Sequence, residues 1–235
     1  IPYIPQTVPA AQLAPADQRG QEDWQLLLVN PWHTVPEGYE IKLATLSNGL
    51  QVDERIYDDL DDMLSDCREA GLNPIVCSAY RTEATQTRLY RNKVARVRAS
   101  GVPEDRVEAE AARWVAKPGT SEHQTGLALD IVAAGYQILD EEQEDTAEQK
   151  WLMENSWKYG FILRYPSEKS DITGIGYEPW HYRYVGKAAA ADIYRTGVCL
   201  EEYLGRAVLP AAELTPAQNA EAPEGAASSE SPLNA

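Results

Sequence analysis

Ser121-Glu122-His123-Gln124-Thr125-Gly126-Leu127-Ala128-Leu129-Asp130 is the stretch on which the reading of this chain turns. A histidine is followed by a glycine that lets the backbone turn back, and Asp130 then falls within an apolar run, Ala128 to Val132, that reads as a strand. A bare carboxylate in such a strand is costly unless it is paired or metal-bound. The chain holds only three histidines, and another of them sits in a second dense segment, Glu178-Pro179-Trp180-His181-Tyr182-Arg183-Tyr184. A catalytic zinc requires three imidazole or carboxylate ligands, an open position for water and a base beside that water. His123, Asp130 and His181 meet the ligand count. Glu178, on a turn stiffened by Pro179, is placed to be the base. Each element alone carries little, because Glu-x-x-His is common and a histidine beside a glycine is usually a satisfied loop residue. His33, in Asn30-Pro31-Trp32-His33, is expected to be structural or exposed. The conjunction carries the argument.

Outward from these two segments, the apolar period switches between helix and strand. Ile56, Leu60, Met63, Leu64 and Cys67 recur at three and four, predicting an amphipathic helix from Asp53 to Ala70 that stops at Gly71. Pro74 to Tyr80 predicts a strand, Thr82 to about Ser100 a helix, and Glu104 to Trp114 a second short one. Thr146 to Tyr159 predicts a helix ended by Gly160, with strands at Phe161 to Tyr165 and Trp180 to Val185. Trp24 to Val29 is an apolar run closed by Asn30 and Pro31, and Ile41, Leu43 and Leu46 mark a strand-like or irregular segment. Strands interspersed with helices give an α+β class. Residues 1–22, with four prolines among Gln and Ala, read as a flexible spacer, and 211–235, made of Ala, Glu, Pro and Ser, as a disordered tail. One domain over 23–210 remains.

At 235 residues and 43% hydrophobic content the chain can bury one core. A formal net charge of −16 argues against a nucleic-acid partner, since phosphate binding needs clustered Lys and Arg. No stretch reaches the roughly 18 consecutive apolar residues of a membrane helix. The chain starts without an initiator Met, so a removed signal or membrane anchor at a missing N-terminus is an expectation. Cys67 and Cys77 lie across a helix-turn-strand step, where a disulfide or a pair of buried free thiols are equally compatible readings; Cys199 reads as core.

Ser78-Ala79-Tyr80-Arg81, then Ser121-x-His123-x-x-Gly126-x-Ala128-x-Asp130, then Glu178-Pro179-Trp180-His181-Tyr182-Arg183-Tyr184-Val185-Gly186 resemble the three signature blocks of the VanY-type D-alanyl-D-alanine carboxypeptidases. That zinc-peptidase group also includes L,D-carboxypeptidases. Leu28-Val29-Asn30-Pro31 leading to Pro36-Glu37-Gly38-Tyr39, and Arg164-Tyr165-Pro166 with Thr173-Gly174, extend the likeness to about Trp24–Leu209. The resemblance implies a hedgehog/DD-peptidase-like fold, an antiparallel sheet flanked by helices. It implies one Zn2+ per chain on His123, Asp130 and His181, with Glu178 as catalytic base. It further implies Arg81 polarising the scissile carbonyl or holding the terminal carboxylate, and Gln86, Ser121 and Tyr165 lining the peptide pocket. The expected activity is removal of a terminal D-alanine from peptidoglycan stem peptides by D,D- or L,D-cleavage, in a monomer facing the cell wall outside the cytoplasm, secreted or anchored. An acidic chain gains no long-range help with an anionic wall, so its substrate must be held by local contacts in a cleft. Two other functions fit the same fold: a non-catalytic peptidoglycan-binding module, against which an intact Glu178 speaks, and a D-alanyl-D-alanine dipeptidase, which needs a closed pocket. Trp180 is as compatible with packing as with binding, and Arg183 reads as structural.

Overall fold

A computed structural model describes residues 24–207. The expected spacer at 1–22 and tail at 211–235 lie outside the described residues. A short hairpin, β1 (Leu43–Thr45) with β2 (Gln51–Asp53), precedes α1 (Tyr57–Glu69). Asp53 closes β2 instead of opening the helix, and its carboxylate accepts from Arg55 N at 2.9 Å to cap an intervening 3-10 turn, Glu54–Ile56. β3 (Pro74–Ser78) leads to α2 (Glu83–Ala99), capped by Thr82, whose hydroxyl accepts from Thr85 N at 3.2 Å. α3 (Glu104–Ala112), β4 (Ala128–Ala133), α4 (Ala147–Asn155) and β5 (Phe161–Leu163) follow. α5 (Ser170–Thr173), β6 (His181–Tyr184), α6 (Lys187–Thr196) and α7 (Leu200–Tyr203) complete the chain.

β3, β4, β6 and β5 form one sheet in that order, each neighbour antiparallel to the next. The expected α+β class with an antiparallel sheet flanked by helices is what the molecule has. Strand alternation decides what each face carries. Leu129 and Ile131 of β4 with Tyr182 and Tyr184 of β6 enter a core built with Ile56, Leu60, Met63, Leu64, Val76, Leu152 and Phe161. Their neighbours Asp130, His181 and Arg183 therefore face the other side. β4 is buried along its whole length, so polar groups on that face must find partners within the protein.

The same alternation corrects one reading of the cysteines. Val76 points into the core beside α1, so Cys77 points to the opposite face, away from Cys67; both are free, and Cys77 is exposed. Cys199 is buried as expected. A second cluster forms where Ile193 and Ala190 of α6 pack on Ile162, Leu28, Val185 and Leu200. Among the described residues no helix is long and apolar enough to cross a membrane.

Candidate active site

Three local devices bring the predicted ligands together. β4 and β6 pair in register with Asp130 opposite His181, so one antiparallel ladder fixes two of them. His123 comes from the 3-10 turn Glu122–Thr125, which ends at Gly126 in the left-handed region, φ 71°. A Cβ on Gly126 would lie 2.9 Å from the backbone nitrogen of Asp53, so the turn that returns the chain into β4 requires glycine. Beside them β3 shifts register between Val76 and Ser78, a bulge that sets Ser78 opposite Asp130 just before Arg81.

His123 Nδ1 lies 2.8 Å from the Ala79 carbonyl, which fixes it as the N–H and turns the Nε2 lone pair inward, 3.4 Å from Asp130 Oδ2. His181 is oriented the other way round. Its Nδ1 lies 3.0 Å from Asp130 Oδ1 and 3.6 Å from Glu178 Oε2, while its Nε2 lies 3.5 Å from Glu122 Oε2. One donor atom from each of His123, Asp130 and His181 falls within 4.8 Å of the others, and all three residues are buried. Two imidazole lone pairs and a carboxylate on one point fit a single divalent cation of the zinc type, with a coordination position left over. Glu178 is on the expected turn, closed by His181 N donating to Glu178 O at 3.1 Å. Its carboxylate thus borders the ligand set without belonging to it.

Burial acts on Glu178 and on all three ligand residues. It pushes Glu178 up to about 8 against the pull of His181. Burial together with the Arg81 charge lowers His123 to about 4. Burial also opposes charge on His181, but Asp130 and Glu122 outweigh it and raise the imidazole to about 9. Burial would raise Asp130 too, yet the two histidines hold it well below the usual carboxylate range.

Around the ligands lies a cleft of about 680 Å³ whose lining includes Arg81, Gln86, Ser121, Tyr165 and Trp180. Arg81 Nη2 lies 3.7 Å from Asp130 Oδ2, and its Nε is buried with no partner, a donor left for a ligand. Gln86 is buried, not on an exposed helix face: its Nε2 donates to Ala116 O at 2.7 Å and its Oε1 has no partner. Ser121 is buried in the cleft wall, and the Tyr165 ring lies 4.7 Å from that of His181. Trp180 is buried as well. His33 stands apart, its Nδ1 2.9 Å from Asn30 Oδ1.

Sequence reasoning missed what stands behind His181. Glu122 Oε1 accepts from Arg164 Nε and Arg183 Nη1, both at 2.8 Å, and both arginines are fully buried. Arg164 continues to Glu201 through bonds of 2.6 and 2.9 Å, and Asn30 Nδ2 donates to Glu201 at 3.0 Å. The two arginines outweigh the burial penalty and hold Glu122 well below the usual carboxylate range. Arg183 is structural, as read, but what it holds is the carboxylate facing His181. The available signal was a Glu beside the ligand histidine and an Arg two residues beyond the other.

A family model described as VanY, D-alanyl-D-alanine carboxypeptidase, matches residues 49–187. A D-alanyl-D-alanine carboxypeptidase of Enterococcus faecalis (strain ATCC 700802 / V583) is 48% identical over 193 residues, 82% of this chain and 70% of the relative. The chain belongs to the VanY family. Solved structures agree. A vancomycin-resistance D,D-pentapeptidase VanY, a mutant in complex with Zn(II), is 48% identical with a TM-score of 0.71, covering 77% of this chain and 99% of that one. VanYB in complex with D-alanine-D-alanine gives 48% and 0.72, covering 78% and 98%. The LdcB LD-carboxypeptidase, at 34% and 0.65, covers 80% and 90%. As a VanY-family chain, this protein keeps in one place the four residues that the sequence motifs singled out.

Proposed function

We propose that this chain is a zinc-dependent carboxypeptidase that removes the terminal D-alanine from peptidoglycan stem peptides by D,D-cleavage, and that it acts outside the cytoplasm. The observation that carries the reading is the convergence of His123 Nε2, His181 Nδ1 and an Asp130 oxygen, with Glu178 alongside. D,D-cleavage is favoured over L,D-cleavage because the relatives at 48% identity are D-alanyl-D-alanine enzymes and the LD-carboxypeptidase stands at 34%. A stem-peptide substrate is what supports the extracytoplasmic part of this reading.

Zinc bound at this site supplies Lewis acidity, lowering the pKa of its water to about 7 and drawing charge from the scissile carbonyl. The remaining work belongs to the chain. Glu178, a carboxylate whose pKa burial has raised, takes the proton from the attacking water and passes it to the departing amine. Arg81 has an unpartnered buried Nε–H for the substrate's terminal carboxylate or for charge developing on the carbonyl oxygen. Gln86 Oε1 can accept from the backbone N–H of the bound peptide, and Tyr165 walls the site beside His181. Buried Ser121 bounds the same pocket.

Defined pentapeptide and tetrapeptide stems, incubated with the metal-loaded protein and weighed, test the reading. Loss of one alanine from the pentapeptide is expected, and release from neither stem would sink the enzyme. Glu178→Gln should keep the metal while kcat falls by about 10²–10⁴. Near-normal turnover by that variant removes Glu178 from the mechanism.

A further inference from the structure

α2 is charged unlike the rest of the chain. It carries Arg88, Arg91, Lys93, Arg96 and Arg98 against a single carboxylate, Glu83, in a protein of net charge −16. Only Gln86 and Val97 of this helix are buried, so it adds little to the core. Instead Gln86, Leu89, Lys93 and Arg96, spaced at three and four and therefore on one face, line the cleft that holds the metal ligands. Arg98 is occupied by Glu104, with bonds of 2.7 and 2.9 Å. Among the described residues neither Lys93 nor Arg96 makes an ion pair within 4.0 Å, although the Lys93 charge reaches Glu178 across the cleft.

Lys93 is nonetheless held in place. Its Nζ stands 5.5 Å from the centre of the Trp114 ring. Trp114 is anchored by its indole N–H donating to Glu110 at 3.1 Å and lies against Gly176, where an added Cβ would come within 3.0 Å of the ring. An aromatic face positions the ammonium without neutralising it. The same lining includes Asp140 and Glu141, so within the cleft it is the cations of α2 that offer an anion a favourable contact.

We propose that Lys93 and Arg96 form a second anion subsite, which takes a carboxylate borne by the substrate on the acyl side of the scissile bond, away from the terminal carboxylate served by Arg81. This rests on the peptidase reading above and narrows its substrate. At 1.5 Å of rise per residue, Lys93 and Arg96 lie about 10 and 15 Å along the helix from Gln86. An extended peptide covers that in about three to four residues. A stem peptide carries carboxylates at that remove: the free α-carboxylate of a γ-linked glutamate, or the second carboxylate of a diamino diacid.

The test uses pairs of stem pentapeptides with a free acid or a carboxamide, varied separately at the γ-linked glutamate and at the diamino residue, with the full chain loaded with zinc. The acid form should be preferred about tenfold in kcat/KM at one of the two positions, mainly through KM. That position identifies the carboxylate. In a Lys93→Gln, Arg96→Gln double variant the acid-to-amide ratio should fall to about one, and Lys93→Arg should retain it. Calorimetric binding of the same pairs reads the preference without turnover. A ratio near one at both positions in the unaltered protein, or a ratio that survives the double substitution, overturns the subsite. Acid-selective binding that depends on these two residues, with no alanine released from any peptide, would instead uphold the subsite and reject the reaction.

Discussion

Glu122 and Asp130 are buried carboxylates facing opposite nitrogens of His181, yet the chain neutralises only one of them. On the Glu122 side, two carboxylates (Glu122, Glu201) meet two guanidinium groups (Arg164, Arg183) in short bonds, bidentate between Arg164 and Glu201, a neutral and nearly closed unit. On the Asp130 side, Asp130 and Glu178 meet one guanidinium at 3.7 Å and two imidazoles whose proton affinities are pulled in opposite directions. The first cluster is complete as it stands. The second is open: two imidazoles and a carboxylate converge on one point with a single long ion pair beside them, and convergent donor atoms in a buried pocket are what a metal site looks like before the metal is counted.

That contrast predicts its largest effect in stability. Arg164→Met takes the guanidinium from Glu201 and leaves Glu122 to Arg183 alone, and it should cost about 3–5 kcal/mol in denaturant unfolding. The loss should already appear in chelator-treated protein, because the network itself needs no ion. A cost under about 1 kcal/mol would mean that the network is not the closed unit its geometry describes.

A smaller effect should pass from one cluster to the other. Glu122 Oε2 and His181 Nε2 are both buried, have no other partner and lie 3.5 Å apart. Such a carboxylate fixes the ring and raises its basicity as a ligand. Glu122→Gln should therefore weaken zinc about 10- to 100-fold, measured by competition with a chelator on protein that is still folded. Unchanged affinity would show that the β6 strand alone orients His181.

What could be read from sequence divides along the same line. His123, Asp130, His181 and Glu178 stood out because a metal site needs rare residue types, and strand alternation with a glycine turn then brought them to one point. The closed network went unread because Arg and Glu are common: beyond Glu122 beside His123 and Arg183 two residues past His181, its members Asn30, Arg164 and Glu201 show no spacing that announces pairing. α1 was legible from its three-and-four period, whereas α2, though placed within a residue or two, had a face that periodicity could not assign. That face lines a cleft, and Gln86, which the family resemblance put in the peptide pocket, is buried there. β1 and β2 are three residues each, too short to show alternation. α6 went unread although Ala189, Ala190 and Ile193 fall on its buried face and Gly197 ends it. The cysteine alternative was settled by strand parity, since one step along β3 moves a side chain to the other face.

The smallest effect is a pH dependence confined to the open cluster. His181, at about 9, and Glu178, at about 8, both stand above their ordinary values of 6.5 and 4.5. The stability that each contributes to the metal-free fold is thus fully present below its ordinary value and lost as pH rises through about 9 and about 8. Zinc has the opposite preference, because it must displace the proton on His181 Nδ1, so its apparent affinity should gain about tenfold per pH unit up to about 9. His123, lowered to about 4, does not compete in this range. The Tm gap between zinc-loaded and chelator-treated protein should therefore widen steadily between pH 6.5 and 9. A gap that stays flat across this window would mean that His181 carries no proton in the metal-free chain.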